Sequence, residues 1–235
     1  MNILITRPLI DAEDLMGKLF SLGHKIIHLP TLKISPAKIE PIDANHYSAF
    51  IFTSANAIRN LNVVKQDKNK ICFCVGAMTE KIARSKGYSN TISAGGTVNA
   101  LKNLIINSKK IDRKSKMAYF CGDNISYDLH FELKRDGMNI NKIVNYLSSE
   151  IKDLNEENKK IIESHPPDII FVYSSRSALS FIEIVKKYSL YPLMTGSKVM
   201  CISKKVADIF SNNKWKKVKI FNPGEELLQL KDDRQ

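Results

Sequence analysis

Short apolar runs alternate with amphipathic stretches along the whole chain. Ile3-Leu4-Ile5 predicts a strand, and Leu15, Leu19 and Leu22 recur at helical spacing over 11–22, where Gly23 closes the helix. A strand is predicted at 25–29. The buried run Ala49-Phe50-Ile51-Phe52 is followed by a helix expected over 54–64, a strand over 70–75 and a helix over 78–85 that Gly87 ends. The second half repeats the rhythm, with strand 117–121, helix 127–135 closed by Gly137, and strand 140–144. After these come strand 168–173, helix 177–188, strand 198–202, helix 205–211 and strand 217–221. Alternation of this kind means α/β with largely parallel sheets.

The chain also says some things twice. Leu15, Leu19, Gly23 and Ile26 reappear as Leu129, Leu133, Gly137 and Ile140. Thr53-Ser54-Ala55-Asn56-Ala57 matches Ser174-Ser175-Arg176-Ser177-Ala178, and Cys74-Val75-Gly76 matches Cys201-Ile202-Ser203. Gly95-Gly96 before Leu101 has a looser counterpart in Pro223-Gly224 before Leu228. Two similar α/β domains account for the same units in the same order. Two such lobes imply a cleft, and ligands of open parallel sheets sit beyond the carboxyl ends of the strands. The polar clusters fall at those loops, among them Thr6-Arg7, Thr53-Ser54-Asn56, Gly76-Thr79, Gly122-Asp123-Asn124, Ser174-Ser175-Ser177 and Ser203-Lys204.

Hydroxyl and amide side chains at a helix start cap its first N–H groups, and those N–H groups with the helix dipole also attract anions. Capping alone explains any single cluster. Several clusters facing one cleft suit a ligand with many carboxylates. Charge points the same way: 36 Lys+Arg against 24 Asp+Glu give +12. The lysines are spread along the chain rather than gathered in one stripe with aromatics, so nucleic acid is not the expected partner. No apolar stretch is long enough to span a membrane and no basic leader precedes the first strand, so the chain reads as soluble and cytoplasmic.

Other chemistries lack their residues. The four cysteines, Cys72, Cys74, Cys121 and Cys201, show no Cys-x-x-Cys spacing and read as reduced, buried strand residues. His24 and His28 lie on a turn and strand, where an interval of four does not bring two ligands to one face. Gly-x-Gly-x-x-Gly and a P-loop are missing, so a dinucleotide cofactor is not expected, and the missing Gly-x-Ser-x-Gly elbow speaks against a hydrolase.

At these clusters the chain resembles the uroporphyrinogen-III synthase family. The resemblance rests on Ile3-Leu4-Ile5-Thr6-Arg7-Pro8, Phe52-Thr53-Ser54-Ala55-Asn56-Ala57, Val75-Gly76-Ala77-Met78-Thr79, Tyr119-Phe120-Cys121-Gly122, Val144-Asn145-Tyr146 and Tyr173-Ser174-Ser175-Arg176-Ser177-Ala178. It implies two α/β lobes joined by a two-stranded β-ladder, with 1–34 and 150–235 as a composite lobe, 38–143 as the second, and connecting strands at 32–37 and 143–150. It implies hydroxymethylbilane as substrate, closed into a macrocycle with loss of water and inversion of the last pyrrole ring, without a cofactor. Tyr146 corresponds to the family tyrosine that helps the hydroxyl leave. Arg7, Thr53, Ser54, Asn56, Gly76, Thr79, Gly122, Ser174, Ser175, Ser177, Ser203 and Lys204 become candidate contacts for the substrate carboxylates. Many relatives carry Ile-Gly-x-x-Thr where this chain has Ile202-Ser203-Lys204-Lys205-Val206, which puts an essential hydroxyl there in doubt. A monomer with transient contact to the upstream deaminase is the expected assembly. The competing reading is a non-catalytic two-lobe binding protein for a small polyanion.

Overall fold

The computed structural model describes residues 1–65 and 67–233. In chain order it begins with β1 (Asn2–Ile5), α1 (Leu9–Ser21), β2 (Lys25–His28), β3 (Leu32–Pro36) and β4 (Ile42–Asp43). Next come β5 (Ala49–Phe52), α2 (Ala55–Arg59), β6 (Val63–Val64), β7 (Ile71–Cys74), α3 (Ala77–Ser85), β8 (Thr91–Ser93) and α4 (Val98–Ile106). They are followed by β9 (Met117–Gly122), α5 (Leu129–Arg135), β10 (Ile140–Glu150), α6 (Glu156–Ser164), β11 (Ile169–Val172) and α7 (Ser175–Lys187). The described chain closes with α8 (Tyr191–Met194), β12 (Lys198–Cys201), α9 (Lys204–Asn212) and β13 (Lys217–Ile220).

The chain divides into two compact units, Met1–Lys33 with Ser149–Gln235, and Ile34–Ser148. The first is built on the sheet β13-β12-β11-β1-β2, parallel throughout. Leu4, Ile170, Val172, Val199 and Cys201 project from one face onto α7 and α9, where Phe181, Phe210 and Trp215 fill the space. Ile3, Ile5, Phe171 and Met200 project from the other onto Ala12 and Leu19 of α1.

The second unit is built on β3-β10-β9-β5-β7-β8. Strands β10 to β8 run parallel. One face packs Phe50, Phe52, Cys72, Cys74 and Phe120 under Ala57, Ile58 and Ala83 of α2 and α3. The opposite face packs Ile51, Phe73, Met117 and Tyr119 under Leu101, Ile105, Leu129 and Leu133 of α4 and α5. Both faces of each sheet are covered, so the strands are continuous apolar runs rather than alternating ones.

The predicted repeat is visible in local geometry. After α1, Gly23 at φ 80° donates to Phe20 O and His24 donates to Leu19 O. After α5, Gly137 at φ 82° donates to Lys134 O and Met138 to Leu133 O. Both are paired terminal bonds that need a left-handed residue, which glycine adopts without a Cβ penalty.

Three sequence expectations need correction. The helix expected over 54–64 stops at Arg59, because the Asn145 amide donates to Ala57 O at 2.7 Å and Asn60 O at 3.1 Å and so takes its terminal carbonyls. Val63–Val64 then pairs with Ile42–Asp43 as a short parallel ladder. The strands expected at 140–144 and 143–150 form one continuous strand, Ile140–Glu150. Finally, α4 and α6 were not anticipated, although Thr97 and Asn155 cap them.

Candidate functional site

In a parallel sheet a ligand site forms where two neighbouring strands send their connections in opposite directions. In the second unit that point lies between β5 and β9. The carboxyl ends of those strands carry Thr53-Ser54 and Gly122-Asp123-Asn124. A cavity of about 140 Å³ opens there, lined by Thr53, Ser54, Tyr119, Gly122, Asn124, Ser126, Tyr127 and Tyr146, with Val98 and Ile125 as its apolar wall. It has room for a few water molecules or one small group. Its described lining is rich in hydroxyls and carries no charged side chain.

Each wall has a local cause. Ser54 accepts from Asn56 N–H at 3.1 Å and starts α2. Asn56 Oδ1 accepts from Arg59 Nη1 at 2.9 Å, which fixes the amide and leaves its NH2 as the donor group. Thr53 Oγ1 lies 3.2 Å from Tyr119 Oη, and burial raises the Tyr119 phenol far above its ordinary value, keeping it protonated. Tyr146 arrives through an irregularity in β10. Val144 is in register with Cys121 and Tyr146 with Gly122, so Asn145 is an extra residue. Such a bulge re-aims the side chain that follows it. Asn145 and Tyr146 consequently share one face, the first bonded to the end of α2 and the second packed against the Phe50–Phe120 core.

The other second-unit candidates play different parts. Gly76 precedes α3 with no side-chain cap, and a Cβ there would stand 3.1 Å from Gly96 Cα. A side chain at 76 would press on the backbone of the next loop, which glycine avoids. Thr79, in the first turn of α3, is buried.

In the first unit the equivalent point lies between β1 and β11. The Arg7 guanidinium rests 4.3 Å over the Tyr173 ring. Tyr173 donates from its hydroxyl to Glu226 Oε1 at 3.2 Å, and Glu226 Oε2 accepts from Gly224 N–H at 2.9 Å. Burial, then the neighbouring carboxylate, drives the Tyr173 phenol well above its usual range. This stack holds Arg7 at the strand end as a planar cation. Ser174 caps α7 through Ser177 N–H, and Ser203 caps α9 through Val206 N–H. Ser175 is half-buried in the first turn of α7. Lys204 is exposed and forms an i,i+4 ion pair with Asp208 at 2.8 Å. Ser177 is 3% exposed, and its hydroxyl is committed inside the fold to Thr6 and Thr31.

The candidates thus fall into two groups. Thr53, Ser54, Gly122 and Tyr146 share one cavity, while Arg7, Ser174, Ser175, Ser203 and Lys204 lie at the strand-to-helix turns of the other sheet. Sequence reasoning missed Tyr119, Asn145, Tyr173 and Glu226. Asn145 had a signal, a polar residue inside an apolar strand run, and Tyr119 and Tyr173 stand in the segments that carry the resemblance; Glu226 had none. The cysteines are all buried, and desolvation pushes the thiols up, to about 11 for Cys121 and about 12 for Cys201. Such thiols are inert. Among the described residues no group of three or more His, Cys, Asp or Glu could hold a metal ion, and no helix is long and apolar enough to cross a membrane.

Hydroxyl-bearing strand ends and capped helix starts on parallel cores covered on both faces define a doubly wound α/β protein. The chain belongs to the uroporphyrinogen-III synthase family, whose model, described as uroporphyrinogen-III synthase HemD, matches residues 13–221. It is thereby a cyclising lyase of tetrapyrrole biosynthesis. The fold is similar to the crystal structure of uroporphyrinogen-III synthetase from Helicobacter pylori 26695, with a TM-score of 0.61 at 16% identity, over 98% of this chain and 99% of that one. It is also similar to a mutant uroporphyrinogen III synthase from the extremely thermophilic bacterium Thermus thermophilus, with a TM-score of 0.55 at 13% identity, over 98% and 97% of the two chains. Comparison with curated protein sequences returned no match.

Proposed function

We propose that Tyr146 is the proton donor that starts the cyclisation of hydroxymethylbilane. The observation that carries this is the small neutral cavity, in which the Tyr146 phenol stands among hydroxyls at the sheet crossover. The Tyr146 hydroxyl gives its proton to the terminal hydroxyl of the substrate. The carbon–oxygen bond breaks with its electron pair going to oxygen, water departs, and the pyrrole nitrogen supplies electrons to form the azafulvene. Ring closure, by way of a spiro intermediate, leaves one carbon carrying a surplus proton. Its loss restores aromaticity and returns a proton to the phenolate, so the balance is one water released. A phenol suits this role because it donates in the ground state and recovers its proton at neutral pH.

The substrate carboxylates are assigned to the charged and capped positions. In the first unit Arg7, Ser174, Ser175, Ser203 and Lys204 serve, and in the second Thr53, Ser54, Asn56, Gly76 and Thr79. Ser177 acts indirectly, by holding the start of α7. The two units act as lobes, 1–34 with 150–235 and 38–143, hinged on connecting strands at 32–37 and 143–150. Holding a flexible polyanion in one shape supplies much of the rate, since orientation alone is worth several kcal/mol. A cytoplasmic monomer that receives its substrate from the upstream deaminase completes this reading.

The deciding experiment incubates the protein with hydroxymethylbilane and resolves the porphyrin isomers after oxidation. Isomer III is expected; isomer I alone, as in the blank, sinks the reading. Tyr146→Phe is expected to lower kcat by about 100-fold, the lower end of general acid catalysis, with product affinity unchanged. An unaltered rate removes Tyr146 from the mechanism.

A further inference from the structure

Gly122 closes β9 beside Tyr146, and nothing in its backbone asks for glycine, because its φ lies outside the left-handed region. What asks for glycine is the tyrosine. A Cβ built on residue 122 would fall 2.7 Å from both Cε2 and Cζ of Tyr146 and 3.0 Å from its hydroxyl oxygen. Carbon atoms in contact sit near 3.5–4.0 Å, so even a methyl group cannot share that space with the ring. The part of Tyr146 in conflict is the half of the ring that carries the hydroxyl.

We propose that Gly122 is a positioning residue: its missing side chain is the seat that sets where the Tyr146 hydroxyl stands. The bulge delivers the ring to the seat. Without the extra residue, strand alternation would send Tyr146 to the face opposite Asn145. With it, Asn145 is bonded to Ala57 O and Asn60 O, and the next residue lands on the same face over Gly122. The backbone behind the ring is tied as well, since Asp123 N–H donates to Tyr146 O at 3.1 Å. Asp123 Oδ1 accepts from Ser148 N–H at 3.0 Å. Cα–Cβ bonds are rigid, so an alanine at 122 cannot turn away; the phenol must move, and its hydroxyl leaves its place in the cavity. This inference rests on the reading of Tyr146 as proton donor.

The test uses the full chain and two pairs of variants. Gly122→Ala is expected to lower kcat by about as much as Tyr146→Phe, with KM within about two-fold of wild type. Tyr146→Phe added to Gly122→Ala is expected to cost nothing more, because the hydroxyl is already out of place. The second pair reads packing instead of rate. Gly122→Ala is expected to lower the melting temperature of the wild type but not that of Tyr146→Ala, in which the seat is empty. Wild-type turnover by Gly122→Ala overturns the proposal, as does a double variant in which the two rate losses multiply. A further melting loss in Gly122→Ala/Tyr146→Ala, measured against Tyr146→Ala alone, overturns it too. If Tyr146→Phe alone keeps the full rate, the proton-donor reading fails, and the melting pair still decides whether Gly122 seats the ring.

Discussion

The start of α7 is held by a line of buried hydroxyls whose direction follows from counting protons. Thr6 Oγ1 donates to Phe171 O at 2.9 Å, so toward Ser177 Oγ, 3.1 Å away, it can only accept. Ser177 spends its single proton on that bond and must accept from Thr31 Oγ1 at 2.6 Å. The chain therefore runs one way, Thr31 to Ser177 to Thr6 to the β11 carbonyl. Thr6, Thr31 and Ser177 are 1%, 0% and 3% exposed, so water cannot substitute. Ser177→Ala deletes two bonds but does unequal damage. Thr6 loses only a donor to one lone pair. Thr31 loses the acceptor for its proton and is left with Thr6 O at 3.4 Å, too long for a good bond.

A net bond is worth about 1 kcal/mol and a stranded buried hydroxyl costs about 1–3 kcal/mol, so Ser177→Ala should destabilise this unit by about 2 kcal/mol. Thr31→Val, which strands nothing, should cost about 1 kcal/mol. The double variant should cost less than the sum by about 1 kcal/mol, because removing the donor removes the stranded proton. Urea unfolding followed by tryptophan emission measures this. Trp215 is the chain's single tryptophan and packs against Phe181 and Phe210 in the same unit, so its signal reports that unit. With a slope near 2 kcal/mol/M the midpoint should fall by about 1 M. A loss below about 0.5 kcal/mol, or strict additivity with Thr31→Val, would refute the proton count.

Two helices end on a left-handed residue that is not glycine, Ser189 at φ 54° after α7 and Lys214 at φ 65° after α9. Ser189→Gly and Lys214→Gly should each raise stability by about 0.5–1 kcal/mol in the same tryptophan assay, and a loss in both would show that those side chains are held by contacts worth more than the strain. Lys102 Nζ bonds Glu132 at 2.8 Å and Asp136 at 2.9 Å, and the Lys102 bond holds the Asp136 carboxyl below its ordinary value. A lowered carboxyl contributes stability above its unfolded pKa and loses it as pH falls through the folded one, so this contribution should fade below about pH 4. Lys102→Met should flatten that acid limb in melts taken between about pH 7 and about pH 2; an unchanged limb would assign acid sensitivity to other groups.

The strands were legible because both faces of both sheets are covered, which turns each into an uninterrupted apolar run such as Ala49-Phe50-Ile51-Phe52. Helix ends were legible wherever glycine or serine marked them, as at Gly23, Gly137, Ser54 and Ser203. What escaped has physical reasons. Helix α6 buries only Ile162, with Ile161 exposed and the rest polar, so it shows little periodicity; its signal was Asn155 followed by Glu156 and Glu157. The early end of α2 depends on Asn145, far away in sequence, whose amide reaches its last carbonyls. The cavity was half legible. Thr53, Ser54 and Gly122 sit at strand ends where any parallel sheet gathers its ligands, but Tyr119 reads from sequence as one more apolar strand residue. Gly122 was legible as a candidate for the wrong reason: it stood out as a strand-end glycine, and its cause is the Tyr146 ring.

The sheet orders explain how a doubled sequence makes these units. Along the first sheet the strands run β2-β1-β11-β12-β13, and along the second, after the edge strand β3, β10-β9-β5-β7-β8. The β1-α1-β2 segment corresponds to β9-α5-β10, and β11, β12, β13 correspond to β5, β7, β8, so the second order is the first with its chain opened elsewhere. In each unit the strand pair that leads the sheet comes from one half of the duplication and the remaining three strands from the other. The consequence is asymmetric. The first unit needs two distant pieces of chain, whereas Ile34–Ser148 is continuous and contains both of its apolar clusters entire. A segment of that length buries enough surface to fold by itself. Residues 34–148 expressed alone should therefore unfold cooperatively in urea and keep a near-ultraviolet signal from buried Tyr88 and Tyr119. A fragment with no cooperative transition would show that the continuous unit depends on the other for its stability, and the division into self-sufficient cores would fail.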